Sequence, residues 1–324
     1  MLRVAFAGTF PARLEEPVRR HLTATCETVV ADEAGIIAQL ADVDVLVTMA
    51  LTAEMGRAAA RLKLVQVPGA GLDRIDRSAL PDGVSLANVH GHETGIAEYV
   101  IGAMLALTRD FSRLDTALRA GEWRSQWSVG VAPPPTWSEL AGKTLGILGY
   151  GRIGQAVARR ARAFDMNISA IRRDVGRSTD DEPAFLGGPD SIGEVLGGSD
   201  YVLISMPATS ETVGSIDRGR LGLMKPTAFL INVARAEIID EDALYEALAR
   251  RSIAGAALDV WYRYPRKPGR AASATRPFHE LSNVLMTPHV AGWTDGTLDA
   301  RAKLIAENIR RVAQGETPLN LIAP

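Results

Sequence analysis

The chain has 324 residues, and its 36 Lys plus Arg against 38 Asp plus Glu leave a formal net charge of −2; at roughly 150 residues per domain that length predicts two domains, without the basic footprint of a nucleic-acid or anionic-membrane binder. Hydrophobic residues at 47% and charged residues at 23% match globular averages and exclude a mostly disordered, collagen-like or disulfide-stapled chain. The single cysteine, Cys26, permits no intrachain disulfide and fits a reducing cytoplasm, so the expected partner is a small molecule, with no nucleic acid, no membrane and no metal.

The opening residues are apolar for a short stretch and then meet Pro11 and Arg13. That is too short for the apolar core of a signal peptide, and it reads as a first strand. Short β-branched runs alternate with stretches of helical period at 2–7, 17–22, 43–48 and 64–67, the pattern of parallel βαβ units with helices on both faces of a sheet. Over 97–119, Val100, Met104, Leu107, Phe111, Leu114 and Leu118 recur at three- and four-residue steps and predict one long helix placed to bridge two domains. The most continuous apolar run, 99–107, is far below the roughly 20 residues a membrane span requires. Residues 121–138 carry Trp123, Trp127, Trp137 and the run Pro133-Pro134-Pro135, and predict an irregular covering arm. A second, stronger series of strands at 144–148, 167–171, 201–205, 228–232, 255–258 and 284–286 predicts a second α/β domain, and a last helix over 299–312 is expected to return to the first.

Gly149-Tyr150-Gly151-Arg152-Ile153-Gly154 directly follows the strand at 144–148 and opens a helical pattern over 155–164. In a dinucleotide fingerprint Gly149 permits the tight turn, Gly151 lets backbone approach a pyrophosphate, and Gly154 allows close helix–strand packing. The helix N-terminus then offers N–H groups and a favourable dipole to the phosphates. The following strand, 167–171, runs into Arg172-Arg173. Two guanidiniums suit a dianionic 2′-phosphate and offer a ribose hydroxyl no carboxylate, which points to NADP, with NAD as the alternative. The other reading makes the arginines a solvated charge pair and Asp174 the ribose reader.

Together with the fingerprint, Gly69-Ala70-Gly71-Leu72-Asp73, the Ala97-Glu98 helix entry, Pro207-Ala208-Thr209 with Thr212, Asn232-Val233-Ala234-Arg235, Ala257-Leu258-Asp259-Val260 and Thr287-Pro288-His289 resemble the D-isomer-specific 2-hydroxyacid dehydrogenase family over nearly the whole chain. The resemblance implies a Rossmann-type cofactor domain, 96–292, inserted into a flavodoxin-like substrate domain, 1–95 with 293–324, both doubly wound parallel-sheet folds, and a homodimer formed through the long helix and the tryptophan-rich arm. It also implies roles: Arg235 binds the substrate carboxylate and polarises the carbonyl, and His289 gives the carbonyl oxygen a proton. Gly69, Ala70 and Gly71 match the loop whose N–H groups hold the carboxylate, His92 falls beside the substrate, and Pro207, Thr212, Val233, Asp259 and Gly292 fall at cofactor-contacting positions. A fixed cation and a proton donor are what an oxygen gathering negative charge needs. The structural alternatives are a surface salt bridge for Arg235, a core or cap histidine for His289 and a plain glycine turn at Gly69.

Three departures from the family pattern matter. Where family members place a Glu against the catalytic histidine, five residues past Asp259 and before a Pro, this chain has Tyr264. A phenol can orient the ring but carries no charge near neutral pH, so without another carboxylate, Glu280 being one candidate, reduction is expected to weaken as pH rises through neutrality. Ala236 replaces the usual Gly after Arg235, and Arg263, Arg266, Lys267, Arg270 and Arg276 load one loop with cations. Trp293 either walls a pocket for small acids or serves as a core aromatic. The expected function is hydride transfer between NADP(H) and a small 2-keto acid, glyoxylate- or hydroxypyruvate-like. The alternative is a dinucleotide-binding regulatory protein with weakened catalysis.

Overall fold

Strands β1 (Leu2–Ala7), β2 (Cys26–Ala31), β3 (Val45–Thr48), β4 (Leu64–Gln66) and β5 (Ser85–Ala87) pair in parallel in the order β2-β1-β3-β4-β5, a flavodoxin-like doubly wound sheet. The computed structural model describes residues 1–130, 132, 135–176, 182–265, 267 and 269–322. Val4, Phe6, Val45 and Val47 pack on one face, and Ala5, Leu46 and Val65 on the other. Burial on both faces is why these strands read as continuous apolar runs rather than alternating ones. The edge strand β2 is partly exposed along its length, so its mixed Cys-Glu-Thr-Val-Val-Ala sequence does not predict it.

One face of this sheet is covered by the helices Thr9–His21 and Asp295–Gln314, which contribute Leu14, Val18, Ala302, Ile305 and Ile309 to a common core. The final helix opens on Thr294, whose Oγ1 accepts from the Thr297 N–H at 3.2 Å, and stops at Gly315 with φ +70°, a left-handed cap that glycine adopts without a Cβ penalty. It returns to the first sheet, as the sequence predicts.

In the second unit β6 (Thr144–Leu148), β7 (Asn167–Ile171), β8 (Phe185–Gly187), β9 (Tyr201–Ile204), β10 (Phe229–Asn232), β11 (Gly255–Leu258) and β12 (Val284–Met286) form a parallel sheet in the order β12-β11-β10-β9-β6-β7-β8. Strand order reverses between β6 and β9, and open α/β sheets bind ligands at the carboxyl end of such a switch point. By its contacts the chain divides into one unit of Met1–His92 with Trp293–Pro324 and another of Glu93–Gly292.

The long helix departs from expectation. It is two helices, Glu93–Arg109 and Phe111–Arg119, separated by Asp110 at φ +53°, a left-handed conformation that Asp tolerates better than most residues. Glu93–Arg109 lies within the second unit and buries Ile96, Val100 and Met104 against Val157 and Ala161 of the helix Arg152–Arg162. Phe111 and Leu118 are exposed, so the periodic apolar pattern spans one buried stripe and one surface stripe. The described residues of 121–138 hold no helix or strand, and Trp123 and Trp127 are exposed. Pro133 and Pro134 of the proline run, and Arg266 of the basic loop, lie outside the described residues. Among the described residues no helix is long and apolar enough to cross a membrane.

Candidate active site

The three fingerprint glycines are required for three different reasons. Gly149 has φ +108°, and a Cβ there would stand 2.5 Å from the Met206 nitrogen, so the turn closes against the loop after β9. At Gly154 a Cβ would stand 2.6 Å from the Gly149 oxygen and 2.9 Å from Ile147 Cγ2, which is the close helix–strand approach. A Cβ on Gly151 would meet nothing within 4 Å. That space lies at the N-terminus of the helix Arg152–Arg162, where the first N–H groups have no intrahelical acceptor and favour an anion. Ser205 Oγ fastens the turn by donating to the Gly149 oxygen at 2.9 Å. Arg152 is exposed and Ile153 partly buried, whereas Tyr150 and Val233 have side chains in the core, so those two present backbone rather than side chain to a ligand.

Arg172 leaves the carboxyl end of β7 with its Nη2 donating to the Val175 oxygen at 3.3 Å, and its Nε is buried without a hydrogen-bond acceptor among the described residues. Arg173 is exposed. The Asp174 carboxylate accepts the Gly176 N–H at 3.1 Å, a local turn that occupies one of its oxygens. After β9, Thr212 Oγ1 donates to the Pro207 oxygen at 2.6 Å and accepts from the Thr209 N–H at 2.8 Å, so Pro207 and Thr212 close one small loop.

At the ends of β10, β11 and β12 a hydrogen-bonded frame carries the candidate catalytic residues. Asn232 bonds both ways, donating to the Arg235 oxygen at 2.9 Å and accepting the Ala234 N–H at 3.0 Å, which fixes the loop ending in Arg235. The buried Asp259 carboxylate accepts Thr287 Oγ1–H at 2.6 Å and the Val290 and Ala291 N–H groups at 2.8 Å each. Because Thr287 donates to Asp259, it accepts from the Tyr99 hydroxyl, 2.6 Å away; burial pushes that phenol up to about 12 and keeps it protonated. Trp261 Nε1–H donates to the Thr287 oxygen at 2.8 Å. Asp259, expected at the cofactor, thus has its carboxylate turned to the loop that leads to Gly292.

This frame holds His289 at φ +58°, a left-handed conformation that is uncommon outside glycine and calls for support from its surroundings. Its Nδ1 lies 2.7 Å from the Tyr264 hydroxyl, with the rings 5.7 Å apart and tilted by 53°. The Tyr264 oxygen also receives the Trp261 backbone N–H at 3.4 Å. Burial pushes the Tyr264 phenol up, while the Trp261 N–H and the charge of Arg235 pull it back. Tyr264 is therefore the side chain at His289 Nδ1, while Glu280 lies 4.0 Å from its neighbour His279.

Neither Thr287 as a half-buried relay nor Tyr99 follows from the sequence. Thr287 reads there as a turn residue before Pro288, and Tyr99 sits 188 positions from its partner.

In the first unit Gly69 follows β4, its oxygen accepting the Val89 N–H at 3.2 Å, and a Cβ there would make ordinary contact with Met49. Asn88 Nδ2 donates to the Ala70 oxygen at 3.0 Å and shapes the loop toward Gly71. His92 is buried. Trp293 is 42% exposed and packs edge-on against Phe10 at 5.8 Å, so it is a surface aromatic rather than a core one.

The model of the D-isomer-specific 2-hydroxyacid dehydrogenase NAD-binding domain matches residues 101–291. A glyoxylate reductase from Pyrococcus furiosus is 37% identical over 295 residues, covering 89% of this chain and 84% of that protein. Among solved structures, an acyclic imino acid reductase in complex with NADPH and D-Arg superposes with a TM-score of 0.81 at 27% identity over 100% of both chains. An NADPH-dependent glyoxylate/hydroxypyruvate reductase from Sinorhizobium meliloti, in complex with NADP and malonate, gives 0.80 at 27% identity over 99% of this chain and 97% of that one.

Proposed function

The chain belongs to the D-isomer-specific 2-hydroxyacid dehydrogenase family, and from that premise we propose that it is an NADPH-preferring reductase of small 2-keto acids, with glyoxylate or hydroxypyruvate as first substrates. The observation that carries this reading is the frame that fixes Arg235 and holds His289 by its Nδ1 at the carboxyl ends of β10–β12. Arg235 binds the substrate carboxylate and polarises the carbonyl, and His289 presents Nε2 to the carbonyl oxygen. Gly69, Ala70 and Gly71 are assigned N–H contacts to a substrate carboxylate, and His92 and Trp293 are assigned to substrate binding. Negative charge growing on oxygen is stabilised by a preset cation and donor better than by water, which must reorient to do the same.

The dinucleotide supplies the hydride when bound. The turn 149–154 holds its pyrophosphate, with backbone at Pro207, Thr212, Val233 and Gly292 alongside. Arg172 and Arg173 hold the 2′-phosphate; in favour of this are the buried Arg172 Nε and the local engagement of Asp174. Like the two solved neighbours bound to NADPH or NADP, the chain is assigned the phosphorylated cofactor. The protein works in the cytoplasm as a homodimer, supported by the exposed Phe111, Leu118, Trp123 and Trp127 of the helix and arm. Sedimentation velocity at micromolar concentration should show a dimer.

The deciding experiment is a panel of NADPH and NADH against glyoxylate, hydroxypyruvate and related keto acids over a wide pH range. Turnover with NADPH is expected. No cofactor oxidation with any keto acid would overturn the reading, and tight cofactor binding without turnover would replace it with a regulatory one.

A further inference from the structure

The Tyr264–His289 pair carries a consequence for proton delivery. Oη receives a backbone N–H from Trp261 at 3.4 Å, which leaves the phenol's own proton to lie along the 2.7 Å line to Nδ1. An Nδ1 that accepts obliges the neutral imidazole to carry its proton on Nε2. A carboxylate in the same place imposes the reverse: it can only accept, so it fixes the proton on Nδ1 and favours the imidazolium.

We infer that Tyr264 acts through His289 as a proton reserve, supplying Nδ1 as the imidazole gives its Nε2 proton to the substrate oxygen, an assignment that rests on the keto-acid reductase reading. As the carbonyl is reduced by the nicotinamide hydride, its oxygen forms an O–H bond with the Nε2 proton and the Nε2–H bond breaks. Nδ1 forms an N–H bond with the Oη proton and the Oη–H bond breaks. The imidazole is neutral before and after, and the pair is reset when the phenolate takes its proton back from Nδ1 while water protonates Nε2; water reaches the pair, Tyr264 being 49% exposed.

The direction is downhill, because a phenol, with a pKa of about 10, is far more acidic than the alcohol formed. The charged groups whose fields reach Tyr264 are Arg235, which favours the phenolate, and Glu237 and Asp259, which oppose it. Asp259 acts at reduced strength, since its carboxylate is already held by three donors. His289 is then a neutral relay, and reduction does not require the imidazolium.

Two measurements test this. The first needs no cofactor: long-range 1H–15N spectra of the histidine-labelled free protein, with His289 assigned by its loss in His289→Gln. The Nε2–H form is expected from about neutrality to about two pH units above it, and a proton on Nδ1 over that range overturns the relay. The second is the pH profile of kcat with NADPH and glyoxylate for the wild type and Tyr264→Phe. Phenylalanine keeps the ring and removes the proton.

In place of the weakening that the sequence leads one to expect, the wild-type profile should stay level through neutrality, because the phenol, itself pushed up by burial, keeps its proton there. The variant can use only the imidazolium, so its activity should fall about tenfold per pH unit above about 6.5 and stand about a hundredfold below wild type two units higher. A wild-type profile that falls through neutrality in parallel with the variant makes the imidazolium the donor and leaves Tyr264 a merely orienting role. An enzyme inert toward every keto acid sinks the reductase reading, while the spectra still decide the tautomer.

Discussion

The two sheets are built alike at their amino-terminal edges and differently at their carboxyl edges. Asp44, at the foot of β3, accepts the Arg3 N–H at 3.0 Å, pairs with Lys63 Nζ at 3.0 Å and donates its own N–H to the Arg3 oxygen at 2.9 Å. Asp200, at the foot of β9, repeats the arrangement with the Thr144 N–H at 2.9 Å, Lys225 Nζ at 3.0 Å and the Thr144 oxygen at 2.9 Å. In each case an aspartate stitches the first strand of the sheet to the neighbour across the switch point, β3 to β1 and β9 to β6. At the other edge the first sheet has amide and hydroxyl ties such as Asn88 to Ala70, and the second has Asp259, Asn232 and the Tyr264–His289 pair. The lesson is that the amino edges secure the fold, which both units share, while the carboxyl edges place side chains for a ligand, where the units diverge.

The strongest way to break this comparison is to remove one aspartate from each kind of edge. Asp259→Ala leaves two N–H groups, that of Ala291 buried, and a hydroxyl without their acceptor and should cost about 3 kcal/mol of stability. It should also reduce kcat/KM about a hundredfold or more, because the left-handed His289 loses its frame and small misplacements of a reacting group are costly. Asp44→Ala should cost similar stability and leave turnover of the folded protein near wild type. Urea unfolding alongside steady-state kinetics separates the two, and equal losses of turnover would mean that the edges do not differ in kind.

Two glycines sharpen the same distinction within the fingerprint. Gly154→Ala forces a Cβ to 2.6 Å from the Gly149 oxygen and should destabilise the second unit by about 2 kcal/mol through overpacking. Gly151→Ala, in open space, should alter stability by less than about 0.5 kcal/mol while weakening dinucleotide binding. Thermal unfolding and fluorescence titration with NADPH read the two effects; a destabilised Gly151→Ala would contradict the assignment of that space to a ligand.

At the end of β7, Arg172→Asp should erase or reverse an NADPH preference of about tenfold or more, the equivalent of losing charge-assisted bonds of about 1.5–3 kcal/mol. The measurement is the ratio of kcat/KM values for the two cofactors, and an unchanged ratio removes Arg172 as the reader.

Legibility in the sequence followed burial and local chemistry. Strands β6, β7, β11 and β12 have the bounds that the sequence predicts, since β6, β7 and β11 are core runs with little mixed character. The edge strands β2, β5 and β8 are short or partly exposed and carry little pattern to find. The split at Asp110 escaped because Phe111, Leu114 and Leu118 keep helical spacing on both sides of one left-handed residue. Of the site, the fingerprint, Arg235 and His289 are each local motifs; Tyr264 was recognisable as a departure, and its bond to Nδ1 depends on a turn. Tyr99 and Thr287 meet through tertiary packing alone, and no window of sequence contains both.

The smallest effect separates the amino edges from acid-labile surface pairs. Burial raises the carboxyl pKa of Asp44 and Asp200, but a backbone N–H and a lysine ammonium at each site together outweigh it, and both groups are held below the ordinary carboxylate range. A folded-state pKa below the unfolded value of about 3.9 contributes stability that is fully present above that value and lost as pH falls through the folded-state pKa. Asp44→Asn keeps the size and one acceptor but not the charge, and should lower stability by about 1 kcal/mol near neutrality. The gap in Tm between this variant and wild type is expected to be constant above about pH 5 and to narrow below about pH 4. Asp200→Asn should behave in the same way. The double variant should lose close to the sum, because the two sites are in separate sheets and share no partner. A gap that stays constant down to about pH 3 would mean that the aspartates act through geometry alone, and that the likeness of the two edges does not extend to their charge.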